Sequence, residues 1–416
     1  MRAVNELELP RLDYLDPDLR GARFHEEMGR LRAQGWLAQT PLGVIVLGRE
    51  AADFFLRTRS ATFPGMKIAE LFGIDEGPLF EEMRRNILHL NGADHRRLRN
   101  LVNPAFTPRA ADGWRPAMRG FLADLWEDVR AAGGCDFVEA FAKPYPSLTI
   151  ARVMGAPLDD APRLHAWSNA IQRQFDAPSL ANDREAIEQA VVEFYSYAGA
   201  LLAARREEPA DDLISTLLAA ERGGDRLSEV ECLNLVLNVL IGGVDTTQSQ
   251  LAQGIRLFAE HPEQWTLLRA HPELVESAVE EILRCEPITP FTARIVQEDV
   301  TFGNVLFPEG TIVLVCAFAA NRDLEPAAAG PSGPDAFDIT GERGRARPLT
   351  FGAGVHFCLG ANLARAELAE ALAFLAARVA RFELDGEPEY GSINGVYGLE
   401  SLPVRFEAAA TSGAVG

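Results

Sequence analysis

One segment near the C-terminal end constrains this chain most: a cysteine that follows glycines and directly precedes a helical pattern. Residues 351–367 have the sequence FGAGVHFCLGANLARAE, in which Cys358 has two glycines shortly before it and Gly360 two residues after it. Glycine lets a backbone bend tightly and approach a large planar group. A cysteine at the start of a helix lies near unpaired N–H groups at the positive end of the helix dipole. Both features favour the thiolate, the form that binds iron.

The segment also allows a simpler interpretation, a buried structural cysteine ahead of an ordinary helix, because free cysteines are often simply buried. The other four cysteines, at positions 135, 232, 285 and 316, are far apart and form no Cys-x-x-Cys pair. This pattern argues against a disulfide framework and for a reducing compartment. What sets Cys358 apart from them is the complete spacing Phe-x-x-Gly-x-His-x-Cys-x-Gly.

Composition narrows the possible partners. The 416 residues are 47% hydrophobic and 24% charged, the ordinary balance of a soluble globular protein. The 40 Lys and Arg against 60 Asp and Glu give a net charge of −20, which disfavours nucleic-acid binding. The N-terminus has no apolar signal region, and the longest apolar runs without charge, 233–244 and 310–321, have 12 residues each. A membrane-spanning helix needs about 20, so we expect a cytoplasmic protein without a membrane partner.

The hydrophobic periodicity changes along the chain and indicates the fold class. Apolar residues spaced three and four apart predict helices through the middle of the chain, most clearly at 112–132, 184–206 and 228–260. Beyond residue 286, short β-branched runs separated by Gly and Pro predict strands and turns. This order predicts a mainly α, α+β fold rather than alternating β-α units. We expect a single domain over 1–416, with 1–20 and 407–416 loosely ordered.

The segment around Cys358 resembles the haem-binding loop of the cytochrome P450 family. The resemblance implies that Cys358 is the axial ligand of the iron, where an anionic sulfur favours O–O bond cleavage. It implies one large cytochrome P450-like domain with haem b buried between a long distal helix and the helix after the cysteine. Phe351 and Gly360 match further haem-binding positions of the family.

A second segment, LIGGVDTT at 240–247, places two glycines inside a long apolar helical stretch. Each costs roughly 1 kcal/mol relative to alanine in a helix interior. The residues alone fit a close helix crossing, with a threonine bonding back to the preceding turn. The resemblance implies instead a local widening that admits dioxygen. Asp245 and Thr246 are then the acid–alcohol pair that delivers protons at the oxygen, which requires donors within about 3 Å or one water.

The Glu281–Arg284 spacing places both side chains on one helical face. Taken alone it is an ordinary surface ion pair. The resemblance implies the family's structural Glu-x-x-Arg pair, which is usually joined by an arginine just before the Phe of a Pro-x-x-Phe loop. Here Ala336 stands at that position, which leaves Arg322 or Arg343 as candidates for the third partner.

Four residues match positions where the family binds the haem propionates. His95 and Arg99 lie four residues apart on one predicted helix, which by itself also fits a solvated basic helix. Arg294 and His356 match two further positions by resemblance. Arginine carries a planar fork suited to carboxylates, and burying two carboxylates without such partners would be costly.

The resemblance places the substrate pocket among mostly apolar segments, although any one of these apolar residues could equally be ordinary core. Asn238 is the one polar side chain among them that could bond a polar group of the ligand. The apolar character indicates a lipophilic ligand of terpenoid, steroid, macrolide or aromatic type. The candidate pocket residues are Asn238, Ile241, Gly242, Pro290, Phe291 and Val396.

The function implied is a haem-thiolate monooxygenase that uses O2 and two electrons to hydroxylate or epoxidise a lipophilic small molecule in secondary or xenobiotic metabolism. The sequence carries no flavin or nicotinamide fingerprint and no cysteine cluster. Electrons are therefore expected from a separate ferredoxin and ferredoxin reductase, and the enzyme is expected to be a monomer. Arginines that could guide this docking, or equally form a solvated face, are Arg96, Arg97, Arg99, Arg109, Arg343, Arg345 and Arg347.

Two other functions stay open at this level. Some relatives use the same iron as a peroxygenase, an isomerase or a coupling catalyst, without inserting oxygen from O2. A non-catalytic haem protein that senses gas or redox state is the third reading. The Asp245–Thr246 pair favours dioxygen activation over both, and the sequence contains no recognisable output domain for a sensor.

Overall fold

Helices dominate the middle of the chain, and strands gather near its two ends. The computed structural model describes residues 2–222, 227–324, 333–341 and 347–409. The mainly α, α+β class expected from the sequence is confirmed. Arg343 and Arg345, and the last residues of the tail, lie outside the described residues.

The helices carry the site, so their bounds are given first. They are α1 (Gly21–Arg32), α2 (Arg49–Arg57), α3 (Lys67–Leu71), α4 (Pro78–Arg85), α5 (Gly92–Val102), α6 (Pro108–Val129), α7 (Pro144–Met154), α8 (Ala161–Gln172), α9 (Ala177–Asn182), α10 (Arg184–Glu207), α11 (Leu213–Arg222), α12 (Glu229–Gly243), α13 (Asp245–Glu260), α14 (Pro262–Ala270), α15 (Val275–Cys285), α16 (Ala317–Ala320) and α17 (Ala361–Ala376).

The strands are short and form small sheets. They are β1 (Arg2–Ala3), β2 (Leu37–Thr40), β3 (Gly43–Val46), β4 (Ala61–Thr62), β5 (Gly134–Asp136), β6 (Phe291–Val296), β7 (Val300–Phe302), β8 (Val305–Phe307), β9 (Ile312–Cys316), β10 (Val379–Leu384), β11 (Glu389–Tyr390), β12 (Leu399–Ser401) and β13 (Pro403–Ala408).

A five-stranded sheet in the order β2-β3-β9-β6-β4 positions one wall of the site. Strand β9 is parallel to β3, with Val44 opposite Val313, and antiparallel to β6, with Phe291 opposite Cys316. The β-branched runs recognised in the sequence occupy these central strands, where both faces are covered. The register fixes the direction in which β6 presents Arg294.

The N-terminal segment corrects one expectation. Residues 1–20 were expected to be loosely ordered, yet β1 pairs in parallel with β8 through Arg2 and Val305. Leu12 and Leu19 are buried against α1 and the sheet. The segment is held because its apolar side chains complete a cluster that would otherwise be open to water.

The long helical pattern predicted at 228–260 is interrupted at one residue. Helix α12 ends at Gly243 and α13 begins at Asp245, and Val244 between them has ψ −73°. A Cβ on Gly243 would lie 2.3 Å from Ile150 Cδ1 of α7, so any larger residue would require the Ile150 side chain to shift. The interruption lies where the sequence has its two adjacent glycines.

The same stretch, Glu229–Glu260, is long and apolar enough to cross a membrane by length and composition. However, 61% of its most apolar window is buried inside the protein. Core helices of soluble proteins share this property because other protein surfaces, rather than lipid, cover their apolar faces.

The Glu-x-x-Arg pair is buried and ties α15 to a later loop. The guanidinium of Arg284 donates two hydrogen bonds to the Glu281 carboxylate, at 2.7 and 2.8 Å. It also donates to the backbone carbonyl oxygens of Pro334 and Ala336, each at 2.6 Å. The loop that lacks the family's arginine therefore joins this pair through its main chain.

Arg322, one candidate for the third partner, pairs with Asp335 of that loop at 3.3 Å. Its guanidinium also stacks on Phe318, at 3.6 Å from the ring centroid. Arg322 thus reinforces the same loop from another side. Arg343, the other candidate, lies outside the described residues.

Candidate functional site

A cavity of about 500 Å³ lies where α12, α13, α17 and β6 meet. Its size falls within the roughly 300–1,000 Å³ typical of sites that enclose small molecules. Cys358, Thr246, Arg99 and Arg294 all line it, so residues far apart in sequence converge on one space.

The loop before Cys358 owes its path to the glycines around it. Gly352 and Gly354 have φ values of +66° and +73°, a region that favours glycine. A Cβ on Gly354 would lie 2.4 Å from the backbone oxygen of Leu56, so this approach also requires glycine. The loop closes with the Cys358 N–H donating to the Phe351 carbonyl at 2.9 Å.

Backbone carbonyls of α15 and the side chain of Asn321, after α16, hold the same loop. The Thr350 hydroxyl donates to the Leu283 carbonyl at 2.5 Å. Asn321 donates to Thr350 at 3.2 Å and to the Arg284 carbonyl at 3.3 Å, and its own oxygen accepts from Leu349 N–H at 2.7 Å. The buried pair on α15 is therefore linked directly to the loop that presents the cysteine.

The environment of the Cys358 thiol is more apolar than the sequence indicated. Burial raises its pKa above the ordinary value. The backbone amides of Gly360 and Ala361 and the guanidiniums of Arg99 and Arg365 act in the opposite direction but do not outweigh the burial. A bound metal ion is the strongest agent that removes a thiol proton in such a place.

A group of cationic and imidazole side chains forms one end of the cavity. Arg99 donates to the Phe357 carbonyl, and to Asn103 at 3.0 Å. The rings of His95 and His356 lie 4.3 Å apart, with His95 buried behind His356. Burial and the neighbouring His95 and Arg294 lower the pKa of His356 to about 3, so this imidazole is neutral at physiological pH.

Arg294 is the clearest sign that this end of the cavity binds an anion. Its side chain is 3% exposed, and the hydrogen bond described for it goes to the Ala293 carbonyl at 2.8 Å. Burial alone lowers its pKa to about 10. Within the described residues no carboxylate pairs with it. A buried guanidinium without an acid is costly, and a carboxylate of a bound group would relieve that cost.

Three glycines leave space for a flat group beside the cysteine. Gly242, Gly352 and Gly360 all line the cavity, and a Cβ added at any of them would meet nothing within 4 Å. A cation cluster suited to carboxylates, a cysteine and an open glycine-lined gap fit the haem that the sequence resemblance implies. Cys358 would bind the iron, and Arg99, Arg294 and His356 would hold the propionates.

The acid–alcohol pair divides between two environments. Thr246 lines the cavity, and its hydroxyl donates to the Gly242 carbonyl at 2.6 Å. Asp245 is buried on the opposite side of the helix, where it accepts hydrogen bonds from Ser168, and from Asn169 at 3.4 Å. His165 Nε2 lies 4.0 Å from its carboxylate. Burial raises the pKa of Asp245, so this carboxyl holds a proton more readily than an exposed one.

Most of the predicted pocket residues line the cavity. Pro290 is instead buried, with its carbonyl accepting a hydrogen bond from Ala317 N–H at 2.8 Å. Asn238 reaches the cavity, but its amide oxygen accepts from Ile87 N–H at 2.9 Å. The residues that do line it are Asn238, Ile241, Gly242, Phe291 and Val396.

The apolar loop before α5 divides between the cavity and a separate core. Leu71 and Phe72 line the cavity, and Leu71 is 61% exposed at its mouth. Ile74 and Leu79 pack instead into a small buried cluster with residues of α9 and α10. For these two residues the ordinary core interpretation is correct.

Several functional neighbours carry no signal in the sequence. His165 and Ser168 approach Asp245 from α8, and Asn321 anchors the cysteine loop. Gln174, between α8 and α9, presents a buried amide to the cavity. Each is a single polar residue outside any motif, and only the packing of distant elements gives it a role.

Comparisons with known proteins agree with this geometry. The family model for cytochrome P450 matches residues 36–271 and 266–392. The chain is 37% identical to luteothin monooxygenase of Streptomyces thioluteus over 97% of both chains. It is 38% identical to mycinamicin IV hydroxylase/epoxidase of Micromonospora griseorubida over 73% of this chain and 74% of the relative. The crystal structure of CalO2 superposes with a TM-score of 0.88 at 30% identity, covering 97% and 100% of the two chains.

Replacing Arg294 should weaken haem binding without unfolding the protein. An Arg294→Gln variant loses a buried guanidinium that a propionate could pair with, and a hydrogen bond to a charged group contributes roughly 1.5–3 kcal/mol. We expect haem to transfer to excess apomyoglobin at least about tenfold faster than from the wild type. Arg405→Gln, at an exposed arginine of β13, is the matched control. Equal transfer rates for all three proteins would exclude Arg294 from haem binding.

Proposed function

Because the chain belongs to the cytochrome P450 family, we propose that it hydroxylates or epoxidises a lipophilic small molecule, using O2 and two electrons from separate redox proteins. The observation that carries this proposal is that Cys358 and Thr246, more than 100 residues apart, line one cavity. The enzyme is a monooxygenase, as its relatives are. We further propose that it acts in the cytoplasm as a monomer.

The cofactor proposed is haem b. When bound, haem supplies the oxygen chemistry that amino-acid side chains cannot perform. The protein's part is to bind and orient it. Cys358 offers the sulfur ligand, and the cavity beside Gly242, Gly352 and Gly360 accepts a flat ring. Arg99, Arg294 and His356, which line the same cavity, would hold its carboxylates.

The acid–alcohol pair handles protons. The Thr246 hydroxyl donates its hydrogen bond to the Gly242 carbonyl. Its oxygen can therefore still accept a hydrogen bond from a water in the cavity. Burial raises the pKa of Asp245, and this residue faces His165 and Ser168 rather than the cavity. Protons then pass from the α8 side through Asp245 to the Thr246 side of the helix. The helix break at Val244 lies directly before the two residues.

Substrate class follows from the cavity wall and the relatives. The lining is mostly apolar, including Ile241, Phe291 and Val396. The names of two relatives identify luteothin and mycinamicin IV as their substrates. We therefore assign this enzyme to secondary metabolism. Of the ligand types expected from the sequence, we favour a macrolide.

Electron delivery is assigned to a ferredoxin and its reductase. Arg96 and Arg109 are exposed near the loop of Cys358, whereas Arg97 pairs with Glu231 of α12. Arg347, on the approach to the same loop, is also exposed. An acidic ferredoxin would meet this local positive surface despite the net charge of −20, because nearby charges govern docking.

Thiolate ligation has a direct spectroscopic test. With haem bound and reduced under carbon monoxide, the wild type should give the strongly red-shifted Soret band of a thiolate-ligated haem. Cys358→Ser should lose that band, and Cys135→Ser should keep it, because Cys135 lies on β5 in another part of the chain. A folded, haem-loaded wild type with an unshifted band would contradict the proposed function.

Thr246→Ala should uncouple electron use from product formation. Without the hydroxyl, the water that delivers protons loses its anchor, and reductant is lost as hydrogen peroxide. We expect a severalfold rise in peroxide per NADH, within the 10²–10⁴-fold that a positioned proton donor contributes at most. Thr246→Ser keeps the hydroxyl and should remain coupled. If Thr246→Ala releases no more peroxide than the wild type, Thr246 does not control protons, and a peroxygenase role gains support.

Reversing exposed arginines should weaken electron delivery alone. The double variant Arg96→Glu, Arg109→Glu should lower ferredoxin-driven turnover by about tenfold at low salt, because opposite charges accelerate docking. Peroxide-driven turnover by the same variant should match the wild type. Arg130→Glu, at an exposed arginine after α6, is the control. Unchanged ferredoxin-driven turnover would place the docking surface elsewhere.

A further inference from the structure

One buried amide in the cavity wall has no partner that explains its place. Gln174 lies in the turn between α8 and α9, is 2% exposed and lines the cavity. Within the described residues, neither polar atom of its side chain makes a hydrogen bond of ordinary geometry, although its amide lies close enough to the Glu82 carboxyl to lower the pKa of that group. A buried amide left unpaired costs about 1–3 kcal/mol. Gln174 therefore destabilises the protein unless a bound molecule supplies its hydrogen-bond partners.

The surroundings of Gln174 are polar and tied together. Glu82 of α4 is fully buried; its carboxylate accepts from Asn86 at 2.6 Å, and its other oxygen has no partner. Burial raises the pKa of Glu82 to about 7, while the amides of Asn86 and Gln174 oppose the rise. Asn234 of α12 donates to the Glu82 backbone carbonyl at 3.4 Å. This cluster holds Gln174 against the end of the cavity.

Asn238, the polar residue first expected to meet the ligand, is already engaged. Its oxygen accepts from Ile87 N–H at 2.9 Å, and its nitrogen donates to Asn234 Oδ1 at 3.4 Å. The Asn238 amide therefore links the segment after α4 to α12 through hydrogen bonds. Of these two amides in the wall, only Gln174 makes no hydrogen bond of ordinary geometry to the described residues. Its nitrogen carries two N–H donors, so one can turn to Glu82 while the other, with the carbonyl oxygen, remains for a bound molecule.

We propose that Gln174 binds an uncharged oxygen group, a carbonyl or a hydroxyl, at the far end of the substrate. This inference rests on the proposed function and specifies its substrate further. A carboxamide both donates and accepts, so it suits either group. An anionic substrate group is disfavoured, because the buried Glu82 carboxyl lies beside the amide.

The position of the cluster also sets the shape of the substrate. Asn234 and Asn238, which contact the cluster, precede Thr246 by 12 and 8 residues. At 1.5 Å per residue, these separations correspond to about 12–18 Å along the helix. The substrate is therefore elongated, with its oxygen group on the order of 10 Å from the carbon that is oxidised beside Thr246.

Matched pairs of probes test the assignment. One pair is a heptyl-substituted acetophenone and the alkylbenzene in which CH2 replaces the carbonyl; the other is tetradecanol and tetradecane. Dissociation constants come from the shift of the Soret band of the haem-loaded enzyme. The wild type should bind the oxygenated member of a pair about tenfold tighter than the hydrocarbon, since only the oxygenated member can hydrogen-bond to the Gln174 amide.

Variants at two glutamines locate the effect. Gln174→Leu and Gln174→Met should reduce the preference to within about twofold, mainly by weakening the oxygenated probe. Gln172→Leu changes the same residue type at a half-buried position of the same cavity and should keep the preference. Two Gln174 variants are used because one of them could fail to fold. A thermal melting curve of each variant shows whether it is folded.

Three outcomes would overturn the assignment. The first is equal wild-type affinity for both members of each pair, which means that water alone satisfies Gln174. The others are an unchanged preference in both Gln174 variants and no binding of any probe. The carbon monoxide spectrum of the same samples separates this failure from failure of the proposed function. A red-shifted Soret band with no preference rejects Gln174 alone. An unshifted band rejects thiolate ligation itself.

Discussion

The position of one sulfur atom is the constraint on which the rest of the site depends. Cys358 must stand at the edge of a large cavity inside a core that otherwise packs closely. Its loop is fixed by the Phe351 carbonyl, by the close approach of Gly354 to Leu56, and by Asn321. Asn321 in turn bonds to α15, next to the buried Glu281–Arg284 pair. A pair that makes no contact with substrate thus matters because it sets where the sulfur lies.

Charge is distributed unevenly in this molecule, and the positive charge inside the cavity is the part that bears on cofactor binding. The chain carries a net charge of −20, yet Arg99 and Arg294 converge on a buried surface without an acid among the described residues facing them. Desolvating guanidinium groups is costly, and the fold bears this cost only if a bound anion offsets it. Two propionates of a bound haem would do so, and cofactor binding would then stabilise this end of the cavity.

The sequence was sufficient for the parts of the site that depend on spacing within one segment. Cys358, Thr246 and the Glu281–Arg284 pair lie in local motifs, so their roles could be expected before any packing was known. The break at Val244, the buried N-terminal segment and the engaged amide of Asn238 depend on contacts with distant elements. No local pattern encodes such contacts. For the same reason the sequence indicates that the loop with Ala336 lacks a partner for Arg284, whereas in the structure the backbone carbonyls of this loop accept hydrogen bonds from Arg284.

The contrast between Asn238 and Gln174 shows why an apolar lining alone does not define this cavity. Both residues offer the same chemical group to the same space, but Asn238 is bound to Ile87 and Asn234, whereas Gln174 is left open. A purely hydrophobic wall would hold many lipophilic molecules in many orientations, because burial is non-directional. An amide far from Thr246 with both its polar atoms unsatisfied reduces that freedom: a ligand that leaves it unpaired loses affinity, and a ligand that pairs with it is held by one end. Selectivity for the position of oxidation then comes from the length between the two ends of the cavity.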